Sequence, residues 1–485
     1  MPASTTHGFS LIAKNQWELP ATGKMHVPVR AIASPSLLQR MDAKSIEQAR
    51  NVAELPGIMR ASYMMPDAHQ GYGFCIGGVA GFDAKEGIIS PGAIGFDINC
   101  GMRLIATNLT HADIKPHIKK LIDDIFIRVP SGVACKSKMP LKKNQIDEVL
   151  SHGAKWAIDE GMGWKEDLAF MEENGKMPHA DPAAVSARAK GRGQNQIGTL
   201  GSGNHYLEIQ TTTADQIFDA PTAKAFGVEK PKQVFIMVHC GSRGMGHQVA
   251  TDYLEQFLEY DRANGIALKD KELAHAPFES EEGQAYFSAM QASANFAFAN
   301  RQVITHSIRE SFARILKENA EELGMRIVYD VTHNVAKREK NKIQGKTRTV
   351  IVHRKGATRA FGPGNEELPR AYRKTGQPVI VGGSMQTGSF VCAGTKTAEE
   401  QTFASTMHGA GRTISRHAAK QHHSFETIAK EMEAQGIYLR TASKQGIAEE
   451  AGAAYKDIFE VVQAAHDAGI SKKVFALRPI GNIKG

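Results

Sequence analysis

Short apolar runs, each closing on a glycine-containing or polar turn, recur from the middle of the chain onward. Tyr206-Leu207-Glu208-Ile209, Val234-Phe235-Ile236-Met237-Val238, Arg326-Ile327-Val328-Tyr329 and Pro378-Val379-Ile380-Val381 read as strands. Between the second and third, residues 283–323 place Phe287, Met290, Phe296, Ile304, Ile308, Phe312 and Ile315 at helical spacing, which predicts one long core helix. Nearer the N-terminus a helix is predicted over 41–54, and further helices over 121–128, 146–161 and 167–173. The polar, glycine-rich stretch 65–73 reads as a loop, in which Asp67 and His69 could approach a metal or a phosphate. The final eight residues are too apolar to fray and are expected to dock. With no internal repeat, low-complexity segment or linker, residues 1–485 read as one interwoven domain.

Composition narrows the class. Apolar residues make up 42% and charged residues 23% of the 485, as in a soluble globular protein. No N-terminal apolar segment and no membrane-length run is present, so the expected location is the cytoplasm, away from membranes. The five cysteines lack C-x-x-C spacing, which argues against a disulfide framework and for a reducing compartment. A net charge of +8 leans only mildly towards a polyanionic partner.

The chemistry gathers at the ends of the predicted strands. Asp97 and Cys100 stand three positions apart in Gly92-Ala93-Ile94-Gly95-Phe96-Asp97-Ile98-Asn99-Cys100-Gly101, where glycines allow a turn tight enough to aim both at one point. His205, His239 and His333 each adjoin an apolar run and a turn of small residues or asparagine. One such histidine is ordinarily structural; three in one setting, with Asp97 and Cys100, point to a metal site. Five donors exceed one closed four-coordinate site, whereas a thiolate shared between two ions uses them all. Two ions ~3.5–4 Å apart are the usual device for displacement at phosphorus. Zinc, manganese and cobalt all tolerate such ligands, and the sequence does not choose among them.

Glycine loops supply the second half. Gly201-Ser202-Gly203-Asn204, Gly382-Gly383-Ser384-Met385 and Gly409-Ala410-Gly411-Arg412 offer backbone N–H groups suited to phosphate oxygens, although none matches a P-loop or dinucleotide fingerprint. His408 directly precedes the last, in a setting that allows either a nucleophilic imidazole or a structural one. The densest basic stretch, from Lys337 to Arg359, follows His333 and suits a polyanion such as RNA. On the residues alone, a two-metal phosphoesterase and a non-enzymatic RNA-binding protein remain alternatives to a nucleotidyl-transfer enzyme.

Taken together, these motifs resemble the RtcB family of RNA ligases along nearly the whole chain, over 65–73, 87–104, 198–210, 239–248, 332–337, 352–364, 403–416, 450–457 and 477–485. The resemblance implies a single mixed α+β domain whose strands end in a metal and nucleotide pocket. It implies a GTP- and manganese-dependent ligase, acting in tRNA splicing or RNA repair, that joins 2′,3′-cyclic phosphate or 3′-phosphate RNA ends to 5′-hydroxyl ends. An archease-type activating protein is an implied partner. Asp97, Cys100, His205, His239 and His333 match the ligands of two Mn²⁺ ions, with Cys100 bridging, and His408 matches the histidine that becomes guanylylated. Asn204, Glu208, Asn334, Gly382, Gly383, Ser384, Met385, Ser389, Gly409, Ala410, Gly411, Tyr455 and Lys484 fall in the implied nucleotide pocket. Arg243, Arg354, Lys355 and Arg412 are implied RNA or phosphate contacts. Cys75, Gln386, Met407 and Ala453 depart from the family pattern.

Overall fold

Two sheets carry the molecule, described here from a computed structural model over residues 6–422 and 424–485. The larger sheet has the order Arg326–Thr332, Gly101–Thr110, Gln233–Cys240, Tyr206–Thr211, Ser471–Lys484, Ser389–Gly394, Pro378–Val381, with Tyr438–Thr441 added in parallel along the end of Ser471–Lys484. The second has seven strands, in the order Ser10–Ala13, Gln16–Leu19, Val29–Ile32, Ile58–His69, Ile76–Asp83, Lys346–Lys355, Asn334–Ile343. The fold is mixed α/β. His333 is the single residue between Arg326–Thr332 of one sheet and Asn334–Ile343 of the other, so the chain changes sheets there.

The helix Glu281–Leu316 packs behind the larger sheet and is buried around most of its circumference. Its start is fixed by Ser280, whose side chain accepts a hydrogen bond from the Gly283 amide. It ends at Leu316, short of the predicted 323, because Lys317 turns into the left-handed region at φ 62°. The predicted helix over 146–161 is two helices, Lys143–His152 and Ala154–Asp159, broken where Gly153 has φ 59°. Residues 167–173 form 3₁₀ turns instead of an α-helix.

The stretch 65–73 corrects the loop expectation. Residues 65–69 continue the strand Ile58–His69, and only the remainder is a turn. Proline is tolerated because the pairing with Ile76–Asp83 is interrupted between Met64 and His69, so Pro66 owes no amide to a ladder. The C-terminus is more than docked, since Ser471–Lys484 is an interior strand and Lys484 pairs with Tyr206. Among the described residues no helix is long and apolar enough to cross a membrane, and all five cysteines are free.

Candidate functional site

Strand register explains why distant residues converge. Gly101 lies opposite both Cys240 and Thr332, and Tyr206 lies opposite His239 and Lys484. One edge of the larger sheet therefore presents Cys100, His205, His239, His333 and Lys484 side by side. Asp97 joins them through the turn that closes with the Cys100 amide donating to the Asp97 carbonyl at 2.9 Å. That turn needs Asn99 in the left-handed region, at φ 52°. Its side chain donates to the Ala294 carbonyl (2.7 Å), and Arg301 donates to the Asn99 and Cys240 carbonyls (2.9 Å each). Arg301 is fully buried and also grips Asp330, so the long helix clamps the backbone on either side of the ligands. Gly241 permits the approach of Asp97, since a Cβ there would lie 2.4 Å from its carboxylate oxygens.

The five side chains form two groups that share one sulfur, Asp97–Cys100–His205 and Cys100–His239–His333. Cys100 Sγ lies 3.5 Å from His205 Nε2 and 3.2 Å from His239 Nε2. His205 Nε2 is 2.8 Å from Asp97 Oδ2, and His239 Nε2 is 3.1 Å from His333 Nε2. His205 Nδ1 faces the Leu200 carbonyl at 2.9 Å, which fixes that nitrogen as the donor and leaves Nε2 free to ligate.

Burial, reinforced by Asp97, pushes the Cys100 thiol up to about 12. Burial also lowers His239 and His333 well below the ordinary imidazole value, with neighbouring histidines adding to the effect. His205 behaves oppositely: burial works against its charge, but Cys240 and Asp97 hold it well above the usual value. Facing lone pairs of two neutral imidazoles, a buried sulfur and a carboxylate are a donor set that fits two divalent cations sharing a thiolate.

His408 stands beside this edge, its ring 4.9 Å from that of His333. Its Nδ1 lies 2.6 Å from Asp67 Oδ2, which also accepts from the amides of His408 (3.1 Å) and Gly409 (3.2 Å). Burial pushes Asp67 up, but the His408 imidazole and amide together hold it below the ordinary carboxylate range. With Nδ1 held by Asp67, Nε2 is the ring nitrogen of His408 left open to other chemistry. Asp67 was flagged in the sequence only as a residue that could approach a metal or phosphate. A carboxylate on one strand facing a histidine just past the end of another, Ser405–Met407, leaves no spacing signal that pairs the two.

A cavity of about 690 Å³ opens over both groups. Asn204, Asn334, Gly382, Gly383, Ser384, Met385, Gly409, Ala410, Gly411, Arg412, Tyr455 and Lys484 line it, with Asp97, Cys100, His239, His333 and His408. Gly411, at φ 73°, is pressed against the Asp67 carbonyl, where a Cβ would come within 2.1 Å. Arg412 stacks on Tyr455 at 5.0 Å and reaches Glu450 at 3.3 Å. Glu208 and Ser389 lie behind the wall, both hydrogen-bonded to Gln210. Glu208 also accepts from Asn482 (2.6 Å), and burial pushes its carboxyl up to about 7. Gln386 ties the Ser384 turn to Glu431 (2.8 Å) and to the Gly452 amide (2.8 Å). Met407 is core.

The basic stretch is corrected by its strand alternation. Arg354 is fully buried, paired with Glu339 through two bonds of 2.7 and 2.9 Å and bonded to Ser405 and the Phe403 carbonyl. It is a core ion pair and offers nothing to a phosphate. Lys337 is likewise buried against Glu172 and Glu173, while Arg338, Lys340, Lys342, Lys346 and Arg348 are exposed. Lys355 lines the cavity, but its amine donates to the Tyr72 and Gly92 carbonyls, and burial lowers it to about 8. Arg243 sits beyond Asp97, bonded to Thr199 at 3.1 Å.

Against this geometry, comparison with known proteins is decisive. A family model described as tRNA-splicing ligase RtcB matches residues 48–485. The chain belongs to the RtcB family. It is 53% identical over 476 residues to the tRNA-splicing ligase RtcB of Thermococcus kodakarensis, covering 98% of each chain. The RtcB of Archaeoglobus fulgidus is 50% identical, again over 98% of each. An RNA-splicing ligase RtcB homolog of Entamoeba histolytica is 48% identical over 91% of this chain and 83% of its own.

Proposed function

We propose that the chain, one domain over 1–485, is a GTP- and Mn²⁺-dependent RNA ligase that joins 3′-phosphate or 2′,3′-cyclic phosphate ends to 5′-hydroxyl ends. The observation that carries this reading is the pairing of His408 Nδ1 with buried Asp67 at 2.6 Å, beside two donor groups sharing Cys100. A phosphoesterase would use such an imidazole only to move protons and would leave no nucleotide bound covalently to it.

Asp67 holds the proton on Nδ1, so Nε2 attacks the α-phosphorus of GTP. The bond from that phosphorus to the bridging oxygen breaks, and pyrophosphate leaves. A 3′-phosphate oxygen of the RNA, generated by water where the end is cyclic, then takes GMP from His408. The 5′-hydroxyl attacks the activated 3′-phosphorus, a phosphodiester forms, and GMP departs. When bound, Mn²⁺ held by Asp97, Cys100 and His205, and by Cys100, His239 and His333, would neutralise charge building on phosphoryl oxygens. The loop amides of 382–384 and 409–411, with Arg412, add to that neutralisation. Lys484, Tyr455, Ser384, Asn204 and Asn334 bound the space for the nucleotide, and Glu208 and Ser389, behind the cavity wall, would support its guanine end through Gln210. Arg243, half-buried and bonded to Thr199, would meet the RNA phosphates. A cytoplasmic role in tRNA splicing or RNA repair, with an archease-type activator as partner, follows from the same reading.

Incubation with α-labelled GTP and Mn²⁺ tests it. The expected result is a covalently labelled protein that passes the label to 3′-phosphate RNA. Hydrolysis of phosphate esters without any protein label would favour the two-metal phosphoesterase instead.

A further inference from the structure

Three aromatic rings at the cavity have no part in the metal, nucleotide or phosphate roles described above. Tyr72, Phe96 and His247 all line it. Tyr72 is 68% exposed, unusual for a large aromatic fixed beside a buried site, and His247 is exposed as well. Phe96 lies between them, 6.4 Å from the Tyr72 ring at 85° and 5.1 Å from the His247 ring at 31°. Phe96 directly precedes the candidate ligand Asp97, so the row is tied by one peptide bond to the metal edge. The backbone beneath it is fixed: buried Lys355 donates to the Tyr72 carbonyl and to the Gly92 carbonyl (2.8 Å) at the start of the Asp97 turn. His247 belongs to the helix Arg243–Ala263, and exposed Arg192 flanks Gly244 in its first turn.

We infer that Tyr72, Phe96 and His247 form a stacking platform for an unpaired nucleobase within a nucleotide or two of the RNA end being joined. Resting on the ligase reading, this adds how the RNA terminus is held. Every base has a π-face, so a ring held open to solvent beside a phosphoryl-transfer site can bind an end irrespective of sequence. Fixing the backbone beneath the ring through Lys355 lowers the ordering cost of forming the stack. Bases beside the 3′-phosphate and beside the 5′-hydroxyl offer the same stacking chemistry, and the test separates them.

The experiment uses the full chain with Mn²⁺ and RNA carrying 2-aminopurine. One arm places the fluorophore next to the 3′-phosphate, the other next to the 5′-hydroxyl. The expected result is quenching on binding in one arm. Tyr72→Ala should abolish that quenching and weaken RNA affinity about tenfold, as expected for the loss of one stacked base. Tyr72→Phe should restore both. The slope of log affinity against log salt should stay at the wild-type value, since stacking releases no counterions. Unaltered affinity and quenching in Tyr72→Ala would overturn the inference. So would a loss that Phe fails to rescue, or one that alters the salt slope, because the contact would then be polar or ionic. Label uptake from GTP by the wild-type chain judges the ligase reading separately: a labelled protein without quenching in either arm sinks the platform alone.

Discussion

Oδ2 of Asp67 accepts from His408 Nδ1, His408 N and Gly409 N, so one buried oxygen sets the ring, its tautomer and the start of the glycine loop. Asp67→Asn retains the shape but presents an amide that favours the wrong tautomer. We expect GTP labelling to slow by about 10⁴-fold, as for an imidazole held in the wrong tautomer elsewhere, with the melting temperature little changed; a rate within threefold of wild type would remove Asp67 from the mechanism. Cys100 makes a second claim at this scale. Because its sulfur belongs to both donor groups, Cys100→Ala should weaken binding of both Mn²⁺ ions in a calorimetric titration. His205→Ala and His333→Ala should each weaken one, and equal effects from all three would contradict a shared sulfur.

The helix Glu281–Leu316 is where element and site meet. Arg301 clamps the Asn99 and Cys240 carbonyls while pairing with Asp330. Arg301→Lys keeps the charge but loses the fork, and should lower Mn²⁺ affinity about 10–100-fold while leaving the circular dichroism unchanged. Intact metal binding would reduce Arg301 to a packing role. In the hairpin of Asn334–Ile343 and Lys346–Lys355, Arg354 faces inward. Arg354→Met therefore should destabilise the fold by about 3 kcal/mol by stranding Glu339, without altering the salt dependence of RNA binding. The strands that end in His239 and His333 were legible as apolar runs, as was the helix, because burial on both faces leaves unbroken apolar residues. The inward turn of Arg354 and Lys337 was not. A run of cations reads as one solvated face until pairing assigns alternate residues to opposite sides. Nor was the strand through Pro66, since its irregular pairing with Ile76–Asp83 leaves no mark in the local sequence.

Across the whole molecule, the site lies where two sheets meet, with His333 at the crossing and Lys484 delivered by an interior C-terminal strand. Metal binding should therefore stabilise the fold broadly. Mn²⁺ at a hundred times its dissociation constant is expected to add about 2.7 kcal/mol for each site filled, seen as a rise in melting temperature that Cys100→Ala largely loses. The candidate ligands and His408 stand out in the sequence because each lies at the end of an apolar run or beside a glycine loop. Tyr72 and Phe96 become functional candidates, and Asp67 the partner of His408, only when the second sheet is folded against the first. The most direct measurement of the central claim is the chemistry of the bond formed with GTP. A phosphoramidate on His408 predicts a GMP label that acid removes and alkali spares. His408→Ala should lose that label and the joining of 3′-phosphate ends, yet still seal RNA already carrying a 3′-terminal diphosphate-linked guanosine. Label uptake by His408→Ala, or a label stable to acid, would place the nucleophile elsewhere and contradict the account.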